Sequence, residues 1–257
     1  MKKISAFLCA LALMLVSFPV GADTIRGDVN LDGNVSISDV NALIDYLLNG
    51  SWPDEPVTPV DDDCVDLGLP SGTIWATRNI GATCPEDYGD YFAWGETKPK
   101  SDYTADNYKW WLIVYNMITK YCTDDRGYNG FTDGKTELDP EDDAAYVNWG
   151  PSWRMPSMEQ VNELVEQCTW TWTTCNGVNG QLATGPNGNS IFLPATGYRW
   201  AGSFDNEGAY GYFWTRTLDP DCSVRAYYFC WKEMGADLGL DSRDTGFTVR
   251  AVRVSQD

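Results

Sequence analysis

Six oxygen-bearing residues near the front of the chain carry the first recognisable chemistry. Asp28, Asn30, Asp32, Asn34, Ser36 and Asp39 stand at positions 1, 3, 5, 7, 9 and 12 of the twelve-residue loop 28-DVNLDGNVSISD-39. Calcium takes six to eight oxygens. The loop offers carboxylates from Asp28, Asp32 and Asp39, an amide oxygen from Asn30 and the backbone carbonyl of Asn34, with Ser36 acting directly or through water. Gly33 at position 6 supplies the residue that tolerates positive φ. Position and residue type agree at each ligand site, so Ca2+ is the expected cofactor and these six residues its ligands.

The composition removes other chemistries. The chain has no histidine, which excludes Ser-His-Asp and Cys-His catalysis and leaves no Cys/His zinc site. Net charge is −19, a balance that repels nucleic acid and anionic membrane surfaces. Residues 23–63 are the most acidic stretch, with ten acidic side chains against Arg26 alone. Of eight cysteines, Cys9 falls in the leader segment. The seven that remain are an odd number, which implies at least one unpaired thiol in an oxidising compartment.

Four segments position these residues. Residues 1–22, MKKISAFLCALALMLVSFPVGA, have two lysines, an apolar run and small residues at the end, the pattern of a bacterial secretory signal. Pro19 and Gly21 interrupt the run before it can span a bilayer, and Cys9 lies too deep in it to carry a lipid anchor. A protein starting near Asp23, exported to the periplasm or beyond with no membrane span, is expected. In residues 23–50 the loop is followed by Val40, Leu43, Ile44, Leu47 and Leu48, one apolar helix face, stopped by Gly50. Residues 51–63, SWPDEPVTPVDDD, read as a stiff acidic linker. Residues 64–257 are long enough for one domain with its own core.

The stretch 28-DVNLDGNVSISDVNALIDYLL-48 resembles one repeat of a type I dockerin, an EF-hand-like calcium loop and helix, with Asp39 where Glu is usual. Dockerins use paired repeats to attach polysaccharide-degrading enzymes to cohesins. Here the chain carries one repeat, and Ile44 and Asp45 replace the usual basic pair, departures that argue against cohesin binding. The helix face must still be covered, by the large domain or by a partner.

In the large domain, Ser157 and Gln160 form a capping box ahead of Val161, Leu164, Val165 and Cys168. Asp139-Pro140-Glu141-Asp142 predicts a second helix start. Strands are expected over 169–175, 190–195, 212–218, 224–231 and 247–254. Two helices among short strands suggest an α+β domain. The pieces 153-WRMPSMEQV-161, 208-GAYGYFW-214 and 246-GFTVR-250 are similar to the FISUMP-type major paralogous domain, with Val161 where tryptophan is usual. The resemblance extends more distantly to the formylglycine-generating-enzyme and C-type-lectin-like fold. It implies a C-type-lectin-like core whose first and last strands lie close together, and it implies no particular activity.

Three functions follow as expectations. The first is a secreted, calcium-binding, non-catalytic module for a glycan or protein partner, with Trp110, Trp111 and Trp200 as candidate stacking residues. Trp110-Trp111 reads as an exposed pair, and Trp170 and Trp172, on one face of a strand, as core. The second is a glycoside hydrolase or its accessory in polysaccharide breakdown. Glu96, Glu159 and Glu163 are available, but no spacing nominates a pair. The third is a formylglycine-generating-type oxidase, which the family resemblance implies would hold copper on Cys222 and Cys230.

Overall fold

The computed structural model describes residues 63–253. The chain divides between Asp61 and Asp62, and the second unit is the one described. The calcium ligands Asp28, Asn30, Asp32, Asn34, Ser36 and Asp39, the signal segment 1–22 and nearly all of the linker 51–63 lie outside the described residues.

The order of elements is β1 (Cys64–Asp66), β2 (Ile74–Asn79), β3 (Trp111–Leu112), β4 (Met117–Ile118), α1 (Ala144–Trp149), β5 (Trp153–Arg154), α2 (Met158–Gln167), β6 (Thr169–Cys175), β7 (Val178–Thr184) and β8 (Ser190–Pro194). It continues with β9 (Tyr198–Trp200), β10 (Ser203–Asp205), β11 (Tyr210–Leu218), β12 (Arg225–Lys232), β13 (Gly235–Ser242) and β14 (Arg250–Arg253). The sheets are small: β1-β2-β14-β5, β6-β7-β8, β11-β12-β13 and the two-stranded β3-β4 and β9-β10.

This corrects the expected α+β, C-type-lectin-like class. Among the described residues, strands account for 39% and helical turns for 14%, with no clear C-type-lectin-like arrangement. The unit is mostly β. The reason lies in where the helices stop. Gly150, at φ 94°, ends α1 after six residues, and Cys168 turns to an extended backbone after the ten of α2. The 139–142 segment is only a single 3-10 turn, and the cap of α1 is Asp143, whose side chain accepts from Ala145 N–H and Tyr146 N–H. The capping box of α2 forms as the spacing requires, with Ser157 and Gln160 bonding reciprocally. The first and last strands do share a sheet, since Val65 and Val252 pair with Trp75 from opposite sides.

Alternation along β11 and β12 builds two cores from one sheet. Tyr212, Trp214 and Ala226 enter one cluster with Phe92, Phe247 and Val249. Phe213, Phe229 and Trp231 enter the other, with Trp75, Leu164 and Leu193. A side chain of Phe size contributes about 1.5–3 kcal/mol when fully buried, so this sheet is the mechanical centre of the unit. Gly211 is required there, because a Cβ would overlap the Trp231 ring.

The motif arginines hold elements together. Arg154 donates from Nε to Asp143 Oδ2 at 3.0 Å, and the same carboxylate receives Met155 N–H at 3.0 Å. Arg250 is fully buried and donates to Asn79 Oδ1 and to the carbonyls of Ala76 and Phe192. Burial lowers its pKa to about 9, which leaves it a cation at neutral pH.

Candidate functional site

Aromatic rings and carboxylates meet on one side of β11-β12-β13 and on the β9-β10 hairpin, which contacts it through Tyr198. Trp200 pairs with Ser203, so the hairpin turns on two residues, Ala201 and Gly202, both at positive φ. That is the two-residue turn whose twist matches the flanking strands. Trp200 stands beside it, 53% exposed. Tyr198 and Trp200 share one hairpin face by alternation. On the opposite face Arg199 lies over Phe204 and Tyr91, at 3.9 and 5.0 Å from their ring centroids.

Tyr198 joins the hairpin to the sheet. Its ring meets Tyr212 edge-on at 5.5 Å and Phe247 at 6.1 Å. Tyr210 stacks on Tyr212, and Tyr228 contacts Phe247 at 4.9 Å. Phe247 is buried and forms the floor, while Tyr198, Tyr210 and Tyr228 are half-exposed around it. Gly239 pairs with Tyr228 and carries no Cβ that would collide with its ring.

Three carboxylates border these rings. Asp237 and Asp241 lie two residues either side of Gly239 on β13, and Asp205 pairs with Tyr198 across the hairpin. Burial, then the neighbouring Asp244, raises Asp241 above the usual carboxylate range. Burial, then Asp205 and Asp241, raises Tyr198. Burial, then Cys230, Asp241 and Asp237, pushes Tyr228 up to about 12. Tyr198 and Tyr228 therefore stay neutral at physiological pH, each offering a ring face and one hydroxyl, while the carboxylate oxygens accept hydrogen bonds.

Trp110 and Trp111 are not the exposed pair expected. Both are half-buried in a third cluster with Tyr91, Tyr103, Tyr108 and Phe204. The ring of Trp110 meets Tyr121 edge-on at 6.0 Å and carries the ammonium groups of Lys109 and Lys120 at 4.3 and 5.3 Å. Trp170 and Trp172 are half-buried against the second core, on one face.

Among the described residues, Asp139, Glu141 and Asp142 form an acidic cluster that could hold a metal ion, with one oxygen of each within 4.8 Å of the others. Lysines already compensate it. Lys120 Nζ lies 2.7 Å from Asp139, 3.6 Å from Glu141 and 2.5 Å from Asp142. Lys109 reaches Asp142 at 2.7 Å, Lys135 reaches Asp139 at 2.5 Å, and Tyr121 donates its hydroxyl to Asp142. Burial alone would raise Asp142, but Lys109, Lys120 and Tyr121 outweigh it and hold the carboxyl below its usual range. A divalent ion would have to displace the Lys120 ammonium.

The remaining candidates are separated. Glu96 pairs with Lys100, Glu163 accepts from Ser71 N–H, and Glu159 is exposed. Cys222 lies before β12 and Cys230 well inside it. Five strand residues from Arg225 to Cys230 span about 17 Å, so the two thiols cannot share a copper ion. All seven described cysteines are free thiols.

The aromatic face had a sequence signal, the alternation of Tyr210, Tyr212 and Trp214. Its acidic border had little, because 235-GADLGLDS-242 is poor in strand formers and joins the sheet only by pairing with β12 along its whole length. Among the described residues, no helix is long and apolar enough to cross a membrane. No family model, curated protein or solved structure matches this chain.

Proposed function

We propose that this chain is an exported, calcium-binding, non-catalytic module directed at carbohydrate. The observation that carries the reading is Trp200, exposed on a hairpin whose same-face neighbour Tyr198 continues into the rings of Tyr212 and Phe247. Flat aromatic groups stack on sugar faces at small entropic cost. Asp205, Asp237 and Asp241 supply acceptors for sugar hydroxyls, a mixture that favours neutral sugars over acidic ones.

The non-catalytic part of the reading rests on the sequence, in which no spacing nominates a pair of catalytic carboxylates. The calcium part of the reading rests on the donor set Asp28, Asn30, Asp32, Asn34, Ser36 and Asp39. The dockerin-like repeat links it to polysaccharide breakdown. Export rests on the composition of residues 1–22.

A glycan array probed with the full chain and with Trp200→Ala tests this. The expected result is selective binding by the first and a loss of about tenfold or more in the second. Binding that is indifferent to Trp200, or no glycan bound at all, overturns it.

A further inference from the structure

A cavity of about 360 Å³ is lined by Arg154, Arg216 and Arg253 together with Ser71, Gln160 and Glu137, none of them a residue of the aromatic face. Its volume falls within the range of about 300–1,000 Å³ usual for small-ligand sites. In a chain with 18 basic residues against 37 acidic ones, three guanidinium groups converge on this one cavity.

The arginines come from separate elements, and each is fixed. Arg154 on β5 spends Nε on Asp143 and Nη2 on the Leu138 carbonyl. Arg216 on β11 spends Nε on Glu137, and Nη1 on the Met155 carbonyl and Gln160 Oε1. Among the described residues no hydrogen bond engages Arg154 Nη1 or Arg216 Nη2. Arg253 on β14 lies 5.0 Å over the Trp153 ring. Gln160, from the first turn of α2, also donates to Thr73 Oγ1 at 3.2 Å, tying the helix start to the β1–β2 turn. Glu163 holds Ser71 through its N–H at 2.8 Å and its hydroxyl at 2.5 Å. Arg154 Nη1 and Arg216 Nη2 are therefore held in place before any ligand arrives, which lowers the ordering cost of binding.

We propose that this cavity binds a small oxyanion, either free as inorganic sulfate or phosphate or carried on a sugar as a carboxylate. Guanidinium N–H groups match oxyanion geometry and make charge-assisted hydrogen bonds. Opposing charge comes from Glu137, which is half-exposed and competes for Arg216, and from Glu163, whose carboxylate holds Ser71. Asp143 is fully buried beneath Arg154 and offsets its charge through Nε, while its other hydrogen bonds come from the backbone N–H groups of Ala145, Tyr146 and Met155. The site stands independently of the glycan reading, since none of its residues belongs to the aromatic face.

The test is a titration of the isotopically labelled full chain with sodium sulfate, inorganic phosphate and glucuronate, followed by NMR at constant ionic strength. Chloride and glucose serve as controls. Saturable shifts of the Gln160 side-chain amide and the Ser71 N–H are expected with the oxyanions alone. Tighter binding of glucuronate identifies the sugar-borne carboxylate, and tighter binding of sulfate or phosphate identifies the free anion. Arg216→Gln weakens binding about tenfold, and Glu137→Gln strengthens it severalfold by releasing Arg216. Equal shifts with chloride or glucose overturn the proposal. So does an affinity that fails to rise in Glu137→Gln, a surface variant whose fold is not at stake, even if Arg216→Gln does not fold.

Discussion

Two polar regions of this unit hold similar groups and use them in opposite ways. Around Asp142 and Asp143, carboxylates, lysines, an arginine and a tyrosine satisfy one another. Lys120 alone meets three acids, and Asp143 accepts from three backbone N–H groups and Arg154. On the aromatic face, Tyr198, Tyr228, Asp237 and Asp241 lie beside one another, Tyr198 and Tyr228 raised first by burial and then by neighbours that include acids. The difference teaches how to separate architecture from a binding surface. A charged group paired with opposite charges within the chain is holding the fold, whereas Asp237 and Asp241, each accepting from the next backbone N–H, keep acceptor capacity beside the rings.

The strongest way to break this comparison is Asp143→Ala. It strands three backbone N–H groups and the Arg154 charge, and a loss of about 3–5 kcal/mol is expected in urea unfolding. Gly239→Ala should cost less, about 1–3 kcal/mol, because a Cβ there forces the Tyr228 ring to move. It should also weaken glycan binding, which ties packing on β13 to function. A loss of stability with unchanged binding would detach Tyr228 from the site.

Acid sharpens the comparison further. Asp139 is lowered by hydrogen bonds from Lys120, then from Lys135, and Asp142 is lowered despite its burial. A lowered carboxylate contributes stability that is present above its unfolded pKa and lost as pH falls through the folded one. The lysine–acid cluster should therefore hold at pH 5 and weaken below about pH 4. The urea midpoint should fall in that window, with a shallower fall in Asp142→Asn. Asp241 has the opposite sign: its raised carboxyl opposes folding once ionised. Asp241→Asn should then leave stability at neutral pH unchanged or slightly higher. The smallest effect is expected from Trp200→Ala, within about 0.5 kcal/mol in stability.

The capping box of α2 was legible because Ser157 and Gln160 act through local hydrogen bonds. Strand β6 was legible from its alternating Thr and Trp residues. The Asp139 helix start failed by local competition: Asp143, four residues on, makes the better cap and leaves Pro140–Asp142 as a lone turn. The α+β, C-type-lectin-like class failed because both helices stop early and because strands such as β13, whose glycine- and aspartate-rich sequence pairs only through β12, add to the sheets. Trp200 was legible as a candidate, and its neighbours were not. Tyr228 and Asp241 meet only through strand register, a long-range property that residue spacing does not contain. Trp110 was misplaced for a similar reason, since Lys109 is adjacent in sequence but Lys120 and Tyr121 reach it through the fold.

The most direct measurement is a two-dimensional NMR map of the full chain titrated with neutral oligosaccharides. The account predicts saturable shifts at the Trp200 indole N–H and at the amides of Tyr198, Tyr228 and Asp241, with the Lys109, Lys120 and Asp142 amides unmoved. Shifts centred on Trp110 and the lysine–acid cluster, or shifts that persist in Trp200→Ala with unchanged affinity, would contradict it.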